Sequence, residues 1–193
     1  MRLKTYAYTT VLTIALVSIG VAFAAFIDKI KYSGAIFSIA NADIKFVRDL
    51  TLGADPNNLV DELTGPVFGN IGSNWKSDYL IKIYNAGSQT LQIVSKSNYT
   101  TANDPDSLRE VIYVEPFEWD DLNNNGSVDQ DEKGASKGQK TLLKWKSEGG
   151  ITLGNIGQGE IKGYILSFST QTVADTKQGK TGAIDFEFEG IGQ

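Results

Sequence analysis

The sequence predicts an all-β protein, a sandwich or jelly roll, and three observations carry that expectation. Short runs of alternating apolar and polar residues recur along the chain, each bounded by turn-forming residues. Glycine is frequent, at 20 residues, and proline is rare, at 4, which suits a chain with many tight turns and few rigid breaks. No amphipathic helical pattern follows the apolar leader at the N-terminus. About seven short strands of uneven spacing fit two packed sheets.

A chain of 193 residues, 41% of them hydrophobic and 21% charged, suits one domain with a core of its own. The net charge is −5, and no basic cluster is available to neutralise phosphates, so nucleic acid is not an expected partner. Neither Cys nor His occurs. That excludes thiolate and imidazole metal sites, cysteine nucleophiles, Ser-His-Asp catalysis and disulfides. Enzymatic function is not expected, and the carboxylates Glu118, Asp120 and Asp121 are better explained by a metal loop than by glycoside hydrolysis.

Met1–Ala24 has the layout of a secretory signal peptide. Arg2 and Lys4 precede an uncharged apolar run, and Ala22-Phe23-Ala24 gives a small-x-small site with cleavage expected between Ala24 and Ala25. An uncleaved anchor and a pilin-type hydrophobic helix are the alternatives, and all three take the protein out of the cytoplasm. Contact with the membrane is expected only through this leader before cleavage.

In Ala25–Gly34 the alternation places Phe26, Ile30 and Tyr32 on one side, interrupted by Asp28, with Lys29, Lys31 and Ser33 on the other. Ala35–Ala40 and Asp43–Val47 read as further strand, and Leu59–Leu63 as a short helical turn. Tyr79–Val94, with Asn85-Ala86-Gly87-Ser88 at its centre, reads as a β-hairpin. Val111–Phe117, Thr141–Trp145, Ile161–Ser169 and Ala183–Phe188 read as strands. The folded domain is taken as Ala35–Gln193.

The most specific motif is Asp121–Glu132, which matches D-x-[DN]-x-[DN]-G-x5-E at every defined position. Calcium takes six to eight hard oxygens. Asp121, Asn123 and Asn125 offer side-chain oxygens at alternate positions, Ser127 its carbonyl, Asp129 a direct or water-mediated contact, and Glu132 a bidentate carboxylate. Gly126 permits the turn, and Val128 is expected to tie the loop to neighbouring backbone. The flanks are not helical, so the expectation is a structural calcium clip. Asn98-Tyr99-Thr100 is an N-glycosylation sequon, and Asn98 is the candidate site; Asn125-Gly126-Ser127 is a second match that metal coordination would oppose.

VAFAAF followed at once by IDKIKYSGAIFSIANADIKF resembles the N-terminus of TasA/camelysin-type biofilm matrix proteins and of the related archaeal bundling pilus subunits. DYLIKIYNAGSQTLQIV resembles the strand-turn-strand of that family. The resemblance covers about the first half of the chain. It implies a jelly-roll subunit that polymerises head to tail, the strand Ala25–Gly34 of one copy inserting into the next through Phe26, Ile27, Ile30 and Tyr32. The expected product is an extracellular homopolymer that contacts neighbouring filaments or a cell surface. The alternative is a monomeric, calcium-stabilised β-sandwich adhesin or binding module, anchored or secreted.

Overall fold

A computed structural model describes residues 41–193. The leader, the strand Ala25–Gly34 and the reading of Ala35–Ala40 as strand lie outside the described residues. Within them the chain is almost all β, in two antiparallel sheets. The strands are β1 (Ile44–Val47), β2 (Leu59–Val60), β3 (Lys76–Asn85), β4 (Leu91–Asn98) and β5 (Ile112–Trp119). They continue with β6 (Lys133–Ser136), β7 (Lys140–Thr141), β8 (Ile151–Ile156), β9 (Ile161–Thr170) and β10 (Asp185–Gly192). The large sheet runs β2-β1-β3-β9-β5-β6, with β7 also on β5, and the small sheet runs β10-β4-β8.

Alternation explains which faces meet. Ile81 and Ile83 of β3, Val114 of β5, and Tyr164, Leu166 and Phe168 of β9 share one buried cluster with the small sheet's Leu91, Ile93, Ile151, Leu153 and Ile156. The cluster therefore lies between the two sheets, as in a sandwich. A short helix, α1 (Leu142–Ser147), adds Leu142 and Trp145 to it. The Thr141 side chain caps this helix by accepting from the Lys144 N–H, and Trp145 Nε1 donates to Ser95 O at 2.5 Å.

Three local readings are corrected. Lys76–Asn85 and Leu91–Asn98 are both strands, but they belong to different sheets, so they do not form a hairpin. The cause is Asn85, which is fully buried. Its Oδ1 accepts from the Gly87 N–H, while its Nδ2 donates to Gln89 O and to Ile156 O across the sandwich. The turn is thus a corner that carries the chain from one sheet to the other. Of Thr141–Trp145 only Thr141 is strand, closing β7; Leu142–Trp145 opens α1, because the Thr141 cap and the buried Leu142 and Trp145 favour a helical turn. Leu59–Leu63 is not helical: the turn is a short 3-10 segment at Pro56–Asn58, capped by Asp55, and Leu59–Val60 pairs with β1.

Beneath the outer face of the large sheet, Gly163 on β9 lies directly against Trp119. A Cβ there would sit 2.5 Å from Trp119 O and 2.9 Å from its ring carbon Cε3. Neither neighbour is the free end of a flexible chain, so the clash requires backbone movement. Gly163→Ala is expected to destabilise the fold by about 1–3 kcal/mol, read as a lower urea midpoint with an unchanged slope. An unaltered midpoint would contradict this packing.

Candidate calcium loop and open strand edge

Strand alternation in β3 sends Ile81 and Ile83 inward and so aims Lys82 at the opposite face, where it is nonetheless buried. An ammonium there must find partners. Lys82 Nζ donates to Asp121 Oδ2 at 2.7 Å and to Leu50 O at 2.7 Å, and it stands 5.1 Å from the Trp119 ring centroid. The side-chain exposures of the Lys82–Asp121 pair are 7% and 1%. Lys82 therefore pins two segments to the outer face of the large sheet: the loop Asp121–Glu132 and the connection between β1 and β2. The second contact is close at Gly126 (φ 71°), where an added Cβ would lie 3.1 Å from Thr51 Cγ2 and 3.2 Å from Leu50 Cβ. That φ favours glycine, and a side chain there would also meet both residues.

All the predicted ligand residues except Glu132 sit on the exposed rim of this loop or line its base, and they hydrogen-bond among themselves. Asp121 accepts from the Asn125 and Gly126 N–H groups at 3.0 and 2.9 Å. Asn123 Oδ1 accepts from the Asn125 N–H, and Asn125 Oδ1 from the Ser127 N–H. Asp129 Oδ2 accepts from the side-chain amides of Asn123 and Asn125 at 2.7 and 2.8 Å. Glu132, buried, accepts from the Leu122 and Asp129 N–H groups and from Trp119 Nε1. Burial pushes the Asp121 carboxyl up, but Lys82 and the Gly126 and Asn125 N–H groups outweigh it and hold the group below its ordinary value.

This arrangement brings the six predicted residues together but turns their carboxylates toward N–H donors. Among the described residues no group of three or more Asp, Glu, His or Cys side chains is placed to hold a metal. The donor set fits calcium in kind, since Asp121, Asn123, Asn125, Asp129 and Glu132 offer only hard oxygens. Ligation would require the Asn123 and Asn125 amides to present oxygen in place of nitrogen and Glu132 to release N–H partners. Val128 does not tie the loop to neighbouring backbone as expected; it is 37% exposed, because Lys82 supplies the attachment instead.

Asn98, the candidate glycosylation site, ends β4 in an exposed position. Its Nδ2 donates to Glu187 Oε1 at 2.7 Å and its Oδ1 accepts from Lys146 Nζ at 3.1 Å. Trp119 and Trp145 are buried packing residues and offer no stacking surface for sugars. The donor-strand residues Phe26, Ile27, Ile30 and Tyr32 lie outside the described residues.

The second candidate site is an edge. β1 pairs with β3 only at Ile83–Asn85, whereas β9 pairs with it from Lys76 to Tyr84. On its edge away from β9, no strand among the described residues pairs with β3 along Lys76–Lys82. Across the sandwich, β10 pairs with β4 over all eight of its residues and, among the described residues, has no strand on its other side. The half-buried aromatic residues collect here. Phe46 packs edge-on to Phe188, Phe68 on Trp75 and Phe168, and Phe186 on Phe168 and Trp145. Among the described residues, one long side of the sandwich is thus bordered by strand edges without partners, with partly covered rings behind them. Compared with known protein families and with curated proteins, the chain matches none.

The Lys82 joint makes a direct prediction. Lys82→Met leaves Asp121 as an uncompensated buried charge and Leu50 O without its donor, and is expected to cost about 3–5 kcal/mol. Lys82→Met combined with Asp121→Asn should recover a substantial part of that loss in urea unfolding. A single variant as stable as the parent would contradict the assignment of Lys82 as the attachment point.

Proposed function

We propose that the chain is the structural subunit of an extracellular filament, polymerising as each copy donates the strand Ala25–Gly34 to the open side of the next. It is read as a relative of the TasA/camelysin-type matrix proteins and archaeal bundling pilus subunits, released from the membrane by cleavage after Ala24. The observation that supports this most is the side of the sandwich bordered by β3 and β10, where unpaired strand edges flank Phe46, Phe68, Phe186 and Phe188. Exposed regular edges are a liability for a protein that stays monomeric, and one added strand would satisfy the backbone groups of the edge it joins while covering the rings. Donation from one copy to the next is heterologous and does not close, so the product is a fibre. Without disulfides, stability gained from the neighbouring copy matters more.

The same reading places calcium in Asp121–Glu132 as a clip on the outer face. Its support is the complete motif, the glycine at positive φ, and the attachment of the loop base through Lys82. Terbium offers a direct probe, because Trp119 Nε1 lies 3.3 Å from Glu132 Oε2 and its ring is placed to sensitise a bound lanthanide. Sensitised emission that calcium displaces, and that Glu132→Gln weakens at least about tenfold, is expected. Absence of emission at millimolar terbium would remove the metal from the account.

The filament reading is tested by electron microscopy of the processed chain with and without Ala25–Gly34. Filaments from the intact chain and dispersed particles from the truncation are expected. Dispersed particles from both would leave a monomeric calcium-stabilised binding module.

A further inference from the structure

The charges on the open side say which of its edges receives the strand. Along β10 the inward residues are Phe186 and Phe188, and the outward residues are Asp185, Glu187 and Glu189, all exposed. Glu189 is paired with Lys96 at 2.5 Å. Asp185 and Glu187 have no cationic partner among the described residues; Glu187 accepts only from the neutral Asn98 amide. Among the described residues β10 therefore shows a regular, eight-residue edge without a partner strand, with an apolar inner row and an acidic outer row.

The sequence of Ala25–Gly34 is the complement of that edge. Its apolar row is Phe26, Ile30 and Tyr32, interrupted by Asp28, and its other row carries Ile27, Lys29 and Lys31, the two lysines two residues apart like the acids of β10. Residues directly opposite on neighbouring strands point to the same face, so a strand with its apolar row inward sets its lysines beside carboxylates. The lengths also agree: ten residues of strand span about 33 Å and the eight of β10 about 27 Å.

The other edges are poorer recipients. The outward row of β3 contains Lys76 and Lys82, with Lys82 already held by Asp121, and Asp78 accepts from the Ser167 hydroxyl. β8 is bent by a register shift opposite Ile93/Val94, and Gly154 in it (φ 126°) lies beside the Lys137–Glu118 pair. β2 has only two residues, and β6, at the other end of the large sheet, has four and pairs with β5 through a register shift. Pairing of β10 with the β10 of a second copy would set like charges against each other, which disfavours a closed dimer through this edge.

We infer that β10 is the acceptor strand, and that Asp185 and Glu187 of one copy select the strand of the next copy through Lys29 and Lys31. This rests on the filament reading and adds to it the edge used and the residues that set its specificity. A strand added beside β10 also widens the small sheet from three strands to four, over the half-buried Ile44 and Phe46 of β1.

Charge exchange in the full chain tests this. Lys29→Glu with Lys31→Glu, and separately Asp185→Lys with Glu187→Lys, should each raise the critical concentration for filament formation at least about tenfold at low salt. The chain carrying all four substitutions should return to within about threefold of the parent. Parent assembly should weaken as ionic strength rises, and thermal melts of the dispersed forms should show the β10 variant folded. Unchanged assembly in both double variants would overturn the inference and leave the filament reading intact. Loss without rescue in the four-fold variant would also overturn it, since the two rows would then not face each other. Failure of the parent to form filaments under any condition would remove the filament reading, and this inference with it.

Discussion

Among the described residues the small sheet has three strands and faces a large one whose main path has six. A sheet that narrow cannot cover the inner face of the wider one, and the residues at the margin show the deficit. Ile83, Leu91, Ile93, Tyr164 and Leu166, in the middle, are essentially inaccessible, while Ile44, Phe46, Phe68, Trp75, Tyr79, Ile112, Ile184, Phe186 and Phe188 are only partly covered. Most of these partly covered residues belong to β1, β3, β10 and their flanking loops, so the deficit falls chiefly on one side. The edges of β3 and β10 that lack a partner among the described residues border that side. Apolar exposure and unmet backbone pairing therefore coincide, and one inserted strand would answer both. The outer row of β10 adds direction, because its charge admits a basic strand and repels its own copy.

The outer face of the large sheet has the opposite problem, a polar insertion with no core of its own. The loop between β5 and β6 and the connection between β1 and β2 contribute few apolar groups. Leu122 and Leu52 are 74% and 62% exposed. What anchors them is the buried ammonium of Lys82, shared between Asp121 and Leu50 O over the Trp119 ring. Replacing either charge alone strands the other, so the joint fixes the position of the loop more than it adds net stability. It also connects the two regions of interest, since Lys82 lies on β3 where pairing with β1 gives way to the free edge.

Much of this architecture was legible in local alternation. The strands β3, β4, β5, β9 and β10 follow the period-two pattern of their residues, and the all-β class follows from them. Sheet membership was not legible. Tyr79–Val94 looks like a hairpin by every local sign, yet the buried side chain of Asn85 bonds to Ile156 O, 71 residues away, and turns the chain into the second sheet. The helix at Leu142–Ser147 was hidden because its two apolar anchors, Leu142 and Trp145, also fit a short strand. At the loop, the spacing from Asp121 to Glu132 was plain, but its attachment was not. Lys82 lies 39 residues before Asp121, and the only local sign was a lysine between Ile81 and Ile83 in an otherwise apolar strand. The acceptor edge could be recognised only once β10 was known to be unpaired on one side, although its acidic row had already been visible as the polar half of an alternation.

Hydrogen exchange of β10 amides in dispersed and assembled protein tests the central claim most directly, because it reports on the edge itself. The account predicts that the amides of Asp185–Gly192 that point away from β4 exchange rapidly in the dispersed protein. In filaments they should slow at least about tenfold, as expected for newly paired strand backbone. Filaments in which these amides exchange as fast as in the dispersed subunit would contradict it.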